Sequence, residues 1–150
     1  MRAVLQRVKK ASISINNKEF VSICEGILIF IGIEHQDEIS DAKWLSSKIS
    51  KLRIFSKENN LMNYSIKEVS GDVLVVSQFT LHAKVKKGSR PSFVKSADKL
   101  HAKKIYKTFK DLLSNDLDFN VKSGEFGKDM QVSLINDGPV TIIIDTKNKE

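Results

Sequence analysis

The spacing of apolar residues changes several times along the chain, and each change marks an element. Val4-Leu5-Gln6-Arg7-Val8 and Ala11-Ser12-Ile13-Ser14-Ile15 read as two strands, the second alternating apolar and polar at period two. Asn16-Asn17-Lys18 reads as a turn, and Phe20-Val21-Ser22-Ile23 as the returning strand. After Glu25-Gly26, the run Ile27 to Ile33 is continuous enough for a strand buried on both faces. From Asp37 the period becomes helical, with Ile39, Ala42, Leu45 and Ile49 opposite Lys43 and Lys48. Leu52 to Phe55 reads as a short strand, and Ser56 to Asn60 as a polar loop. A second strongly apolar strand is expected over Asp72 to Phe79.

That strand runs through Thr80-Leu81 into a basic loop, Lys84 to Pro91. Ser96 reads as the cap of a second helix whose apolar face is Ile105, Phe109, Leu112 and Leu113. Further strands are expected near Phe119-Asn120-Val121, over Met130 to Ile135 and over Val140 to Ile144. Between the last two lies Asn136-Asp137-Gly138-Pro139. Asp-Gly between alternating apolar runs predicts a hairpin turn, yet Pro139 removes a ladder donor where the next strand would begin. The pattern as a whole predicts an α+β domain, a compact, mostly antiparallel, barrel-like sheet covered by two helices.

Composition narrows this picture without redrawing it. The 150 residues suit a single domain over 1–150 rather than two, and 41% hydrophobic with 29% charged residues is a globular balance. The longest apolar run is far shorter than the ~20 residues that span a bilayer. The N-terminal residues read as a strand rather than a signal peptide, and the lone Cys24 fits a reducing cytoplasm. A formal net charge of +7 suits a polyanionic partner, and equally a solvated basic surface.

Familiar catalytic sets are scarce. His35, His82 and His101 have no metal-ligand spacing, no cysteine pair exists, and no glycine-rich phosphate loop is present, so neither metal nor cofactor is expected. Cys24 reads as an inert, half-buried thiol and His101 as solvated, while His82 is a minor candidate beside a strand end. Two stretches offer hydroxyl and backbone chemistry instead. Ser77-Gln78-Phe79-Thr80 places polar groups where a buried strand leaves its sheet and its N–H groups lose their ladder partners; the bland reading is a barrel rim. Gly138-Pro139 makes a stiff carbonyl-lined step, or simply a turn with an edge proline.

Ser77-Gln78-Phe79-Thr80-Leu81 together with Asn136-Asp137-Gly138-Pro139-Val140-Thr141 closely resembles the paired signature of the D-aminoacyl-tRNA deacylases. The opening Met1 to Val8, the loop Gly88 to Phe93 and Ser123 to Met130 are similar to that family too, so the resemblance spans residues 1 to 145. It implies a cytoplasmic homodimer of deacylase-type fold. Such an enzyme hydrolyses the ester joining a D-amino acid to the terminal adenosine of tRNA, and also accepts glycine attached to tRNA, including tRNA-Ala. It implies further that Gly138 and Pro139, joined by a cis bond, enter the partner subunit's pocket and exclude L-amino acids. Ser77, Gln78, Phe79 and Thr80 would then form the catalytic pocket, with Phe126 and Met130 near its walls. A related branch of the family uses a trans Gly-Pro step against L-alanine; the present motif looks like the chirally selective branch.

Two mechanisms stay open. Thr80 could act as nucleophile through an acyl-enzyme, or the ribose 2′-OH of the tRNA could assist water while backbone N–H groups near Phe79 and Thr80 hold the oxyanion. Lys84, Lys86, Lys87 and Arg90 lie where an acceptor end would pass, and Lys95, Lys99, Lys103, Lys104 and Lys107 extend that charge along the second helix. The competing readings are a non-catalytic RNA-binding domain, for which the basic loops show no interleaved aromatics, and an ordinary esterase using Thr80 directly.

Overall fold

The computed structural model describes residues 1–56 and 61–149. Its strands are β1 (Arg2–Ile15), β2 (Lys18–Ile23), β3 (Gly26–Gly32), β4 (Asp72–Ser77), β5 (Lys122–Ser123) and β6 (Gln131–Asp145). The helices are α1 (Ile39–Ser50) and α2 (Lys99–Leu117). Of the polar loop expected at Ser56 to Asn60, residues 57–60 lie outside the described residues.

β1 organises the sheet. One of its edges pairs antiparallel with β3 along Arg2 to Val8, then with β2 along Ala11 to Ile15. Its other edge pairs antiparallel with β6 almost throughout. Beyond β3 the sheet continues in parallel through β4 to β5, so three antiparallel and two parallel pairings make a barrel-like mixed sheet. Asn16 and Asn17, both at positive φ, turn β1 into β2, as the Asn-Asn pair predicts.

The two strands expected in the first fifteen residues are one. Ala3 and Leu5 face one core, whereas Val8, Ala11 and Ile13 face another, and register shifts flank Val8 on the β6 side. A bulge changes which parity points inward without ending the strand, so a broken alternation imitated two strands. The first core lies between the sheet and the paired helices, joining Leu5, Ile29 and Val75 to Leu45, Ile49, Phe109 and Leu113. The second fills the opposite face with Leu28, Leu74 and Val76. The continuous apolar runs of β3 and β4 thus serve two cores at once.

Other expectations are corrected locally. Leu52 to Phe55 forms no strand, only the bridge Phe55 to Tyr64. Ile39 is 53% exposed and stands off the apolar face of α1. Asp98, not Ser96, caps α2, its side chain accepting from the N–H groups of Leu100 and His101 at 3.0 Å; Ser96 instead donates to the Phe79 carbonyl at 3.0 Å. The strand near Phe119 to Val121 is displaced to β5. The largest correction concerns Asn136 to Pro139: no hairpin forms, because the expected strands Met130 to Ile135 (from Gln131 on) and Val140 to Ile144 belong to the single β6, paired to β1 on both sides of the motif. Local turn chemistry yielded to a 14-residue partner strand that engages both halves.

The ends of β1 and β6 are tied to α1. The buried Met1 α-ammonium donates to Asp37 and, at 2.6 Å, to Thr146 Oγ1. Asp41 accepts from Glu38 N–H at 2.9 Å and from Lys147 Nζ at 2.8 Å. Burial pushes the Asp41 carboxyl up, but hydrogen bonds from Lys147, the Glu38 backbone and Thr146 outweigh it and lower the pKa to about 2. Its stabilisation is therefore complete above the unfolded carboxylate value of about 4 and is lost as pH falls towards about 2. Asp41→Asn should lower stability at neutral pH and flatten its decline over that acid window, as read by guanidinium denaturation at a series of pH values. An unchanged acid slope would contradict this account.

Candidate active site

β3 and β4 run parallel, and the carboxyl ends of such strands are where open sheets present functional groups. Ser77 closes the pairing against Ile31, and Gln78 N–H makes the last bond, 2.7 Å to Ile31 O. The chain then turns through a single 3₁₀ turn, Phe79–His82. Gly32 makes room for it: a Cβ there would stand 3.0 Å from Gln78 O, Leu81 Cβ and His82 Cδ2. At the start of this corner the N–H groups of Phe79 and Thr80 have no backbone acceptor among the described residues. Gln78 Nε2 donates to Thr80 Oγ1, so the motif's own amide orients the threonine hydroxyl.

A pocket of about 460 Å³ opens beside the corner and brings together Ser77, Gln78, Phe79, Phe126, Met130 and Lys99. Phe126 rests against Tyr106, ring centroids 5.3 Å apart. Tyr106 is anchored by a 3.0 Å bond from its hydroxyl to Val75 O, and burial pushes that hydroxyl above its usual pKa. Met130 needs Gly124, where a Cβ would stand 2.4 Å from its sulfur. Five of the six expected catalytic and wall residues thus converge. Thr80 lines a neighbouring depression with Arg2, Trp44 and Leu81, so the corner forms a partition between two cavities.

Gly138 and Pro139 lie elsewhere. Gln6 faces Thr141 and Val8 faces Asn136, leaving Arg7 alone opposite residues 137–140. The surplus of β6 bulges outward, with Gly138 and Pro139 exposed and their peptide bond cis. Asn136 Nδ2 closes the base of the bulge, donating to Arg7 O at 3.0 Å and Val140 O at 3.2 Å. Asp137 stands 2.7 Å from Arg7 Nε and 3.7 Å from Lys9 Nζ. The bulge borders a separate depression with Arg7, Lys9 and Glu25, not the pocket of its own chain.

The basic loop is closed at its root by the reciprocal bonds of Lys84 and Ser92, 2.8 and 3.0 Å. Lys86, Lys87 and Arg90 are exposed and unpaired among the described residues. Lys107 is paired with Asp111 at 2.7 Å. Phe93, beyond that loop, packs edge-on against the 58% exposed Phe79 ring at 5.1 Å; the contact joins the basic loop to the corner across 14 residues of sequence. His101 is not merely solvated, since Nε2 lies 2.9 Å from Asp37 O. His82 is 3% exposed, and Cys24 is exposed rather than half-buried. No helix among the described residues is long and apolar enough to cross a membrane.

Comparison with known proteins agrees with the two motifs. A sequence model described as D-Tyr-tRNA(Tyr) deacylase matches residues 4–145. A D-aminoacyl-tRNA deacylase of Cytophaga hutchinsonii is 54% identical over 150 residues, all of both chains. One of Dictyoglomus turgidum is 54% identical over 148 residues, covering 99% of this chain and 94% of its own. A solved structure described as c-Myc DNA Unwinding Element Binding Protein is 34% identical, with TM-score 0.90 over 97% of this chain and 98% of that one. That of a probable eukaryotic D-amino acid tRNA deacylase shares the fold, with TM-score 0.82 at 20% identity over 95% and 97% of the two chains. The protein is thus an enzyme of the hydrolase class, a deacylase with an α+β fold. It belongs to the D-Tyr-tRNA(Tyr) deacylase family.

The bulge depends on its base. Asn136→Ala leaves two backbone carbonyls without their amide donor and should cost about 1 kcal/mol, read as a lower urea midpoint with an unchanged denaturant slope. An unchanged midpoint would remove Asn136 from that role.

Proposed function

We propose that the protein hydrolyses the ester between a D-amino acid and the terminal adenosine of tRNA, and glycyl esters of tRNA including tRNA-Ala, in the cytoplasm. Hydrolysis adds water oxygen to the acyl carbon, breaks the ester C–O bond and returns the proton to the ribose hydroxyl. The N–H groups of Phe79 and Thr80 suit the developing oxyanion, since both lack a backbone partner among the described residues and belong to a corner braced by Gly32. Main-chain donors held in a fixed place cost little reorganisation when charge appears.

Thr80 acts here by position rather than as a nucleophile. Its hydroxyl oxygen accepts from the Gln78 amide, and no carboxylate or imidazole is hydrogen-bonded to it among the described residues. An unassisted hydroxyl is a poor nucleophile at neutral pH. The substrate's own 2′-OH adjoins the ester and can orient or activate water, which removes the need for a protein base. Ser77, Gln78, Phe126 and Met130 shape the site around the acyl group. Lys84, Lys86, Lys87 and Arg90 supply a positive field for the acceptor end.

The observation that carries the rest of the reading is the separation of motif from pocket. Gly138 and Pro139 project from the molecule and border a depression other than the one lined by Ser77 to Phe79. In a homodimer the bulge of one subunit fills the pocket of the other, where fixed carbonyls hold the α-ammonium and bar an L side chain by contact. A backbone wedge cannot swing aside as a side chain can, so rejection of the abundant L-aminoacyl-tRNA is steric. The outer edge of β6 supports such pairing, having no strand beside it among the described residues and exposing Ile135 at 60% and Ile143 at 70%.

The test is hydrolysis of D-tyrosyl-tRNA and L-tyrosyl-tRNA by the wild type and by Thr80→Ala. The wild type should release D-tyrosine and spare the L-ester. Thr80→Ala should keep its single-turnover rate within about tenfold, whereas a 2′-deoxy terminal adenosine should slow the wild type by about 10²-fold or more. Complete loss in a folded, substrate-binding Thr80→Ala enzyme would restore threonine as nucleophile.

A further inference from the structure

The corner that carries Phe79 and Thr80 is braced by the space at Gly32, by Ser96 Oγ donating to Phe79 O at 3.0 Å, and by a charged side chain. Arg2, the first residue of β1, sits in the ladder between Gly32 of β3 and Asp145 of β6. Its guanidinium donates to Asp145 Oδ2 through Nε at 3.1 Å and Nη2 at 2.9 Å. The remaining arm, Nη1, donates to the carbonyl of Leu81 at 2.7 Å. Leu81 directly follows Thr80, and its own N–H bonds back to Gln78 O at 3.3 Å. Three structural pieces, the first residue of β1, the last of β6 and the corner after β4, are therefore locked by one planar cation.

We propose that Arg2, oriented by Asp145, is a positioning residue for the deacylation: it fixes the Leu81 carbonyl and thereby the aim of the Phe79 and Thr80 N–H groups. The inference rests on the reading of that corner as the oxyanion site. Gly32 permits the corner to lie close to β3 but supplies no directional force, since it offers only space. Direction needs hydrogen bonds to the corner itself: the exposed Ser96 hydroxyl makes one at Phe79 O, and Arg2, the charged donor, makes the other at the residue next to Thr80. The fork geometry matters: two arms fix the guanidinium plane on Asp145, so the third points one way only. Asp145 is further held by Lys147 N–H at 2.9 Å. Burial pushes its carboxyl up, yet the bonds from Lys147 and Arg2 carry it below the usual carboxylate range, so it faces Arg2 as an anion at neutral pH.

A small shift of the corner harms charge stabilisation more than binding, because the amino acid and the nucleotide are held by other groups. Arg2→Met should accordingly lower kcat for D-tyrosyl-tRNA by about 10- to 100-fold while KM stays within about threefold. Arg2→Lys keeps the charge but cannot serve Asp145 and Leu81 together in one plane; it should fall between, with kcat down about tenfold at unchanged KM. A merely structural role would show as a lower thermal midpoint with kcat per folded molecule unaltered. Should Arg2→Met fail to fold, Arg2→Lys decides alone by the same split of kcat from KM. A kcat within twofold of wild type in the folded variant overturns the proposal, while a wild type that spares D-tyrosyl-tRNA overturns the reading beneath it.

Discussion

The structure depends on a mismatch between two paired strands. β1 is hydrogen-bonded on both edges, and β6 follows it almost end to end, yet Arg7 alone stands opposite residues 137–140. The surplus cannot be absorbed on the far side of β1, where β3 and β2 already pair. It leaves the sheet as an outward bulge, held at its base by Asn136 and tied by Asp137 to the very residue it outnumbers. Cutting the same four residues loose as a hairpin tip would lose this rigidity, because only pairing on both sides fixes where the tip points.

The division of labour within each motif follows. In Asn136 to Pro139 the polar pair holds the base and Gly138-Pro139 forms the tip. In Ser77 to Thr80 the glutamine holds the threonine, the serine lines the pocket, and the N–H groups of Phe79 and Thr80 have no backbone acceptor among the described residues. In the proposed mechanism both motifs work through main-chain groups, which fits a protein poor in conventional acid–base sets. On that proposal their side chains position the backbone rather than perform chemistry. The proposed role of Arg2, which joins Asp145 to the Leu81 carbonyl, extends that logic beyond the motifs.

Much of this was legible in the sequence wherever the physics is local or strongly periodic. β3, β4 and α1 announced themselves by continuous or helical apolar spacing, and Asn16-Asn17 by its tolerance of positive φ. What misled was context. Val8 changed the inward parity of β1 and split one strand into two on paper. Asp137-Gly138 has hairpin chemistry, but a long partner strand overrode it. Ser96 and Asp98 are both good caps, and only the path of the chain decides between them. The two motifs pointed to two regions of the chain, while their separation within one chain, the Phe93 contact to Phe79 and the Arg2 clamp are facts of three-dimensional proximity that no spacing rule encodes.

The central claim is that each pocket is completed by the bulge of another copy. A subunit lacking Gly138 and Pro139 should be mixed, after co-refolding, with one whose pocket is filled by Ser77→Trp. Neither homodimer should combine hydrolysis of D-tyrosyl-tRNA with rejection of the L-ester. Random pairing makes half of the dimers mixed, each with one intact site, so the mixture should regain selective hydrolysis at about a quarter of the wild-type rate. Mixed dimers that form, yet regain no D-selective hydrolysis, would contradict the account.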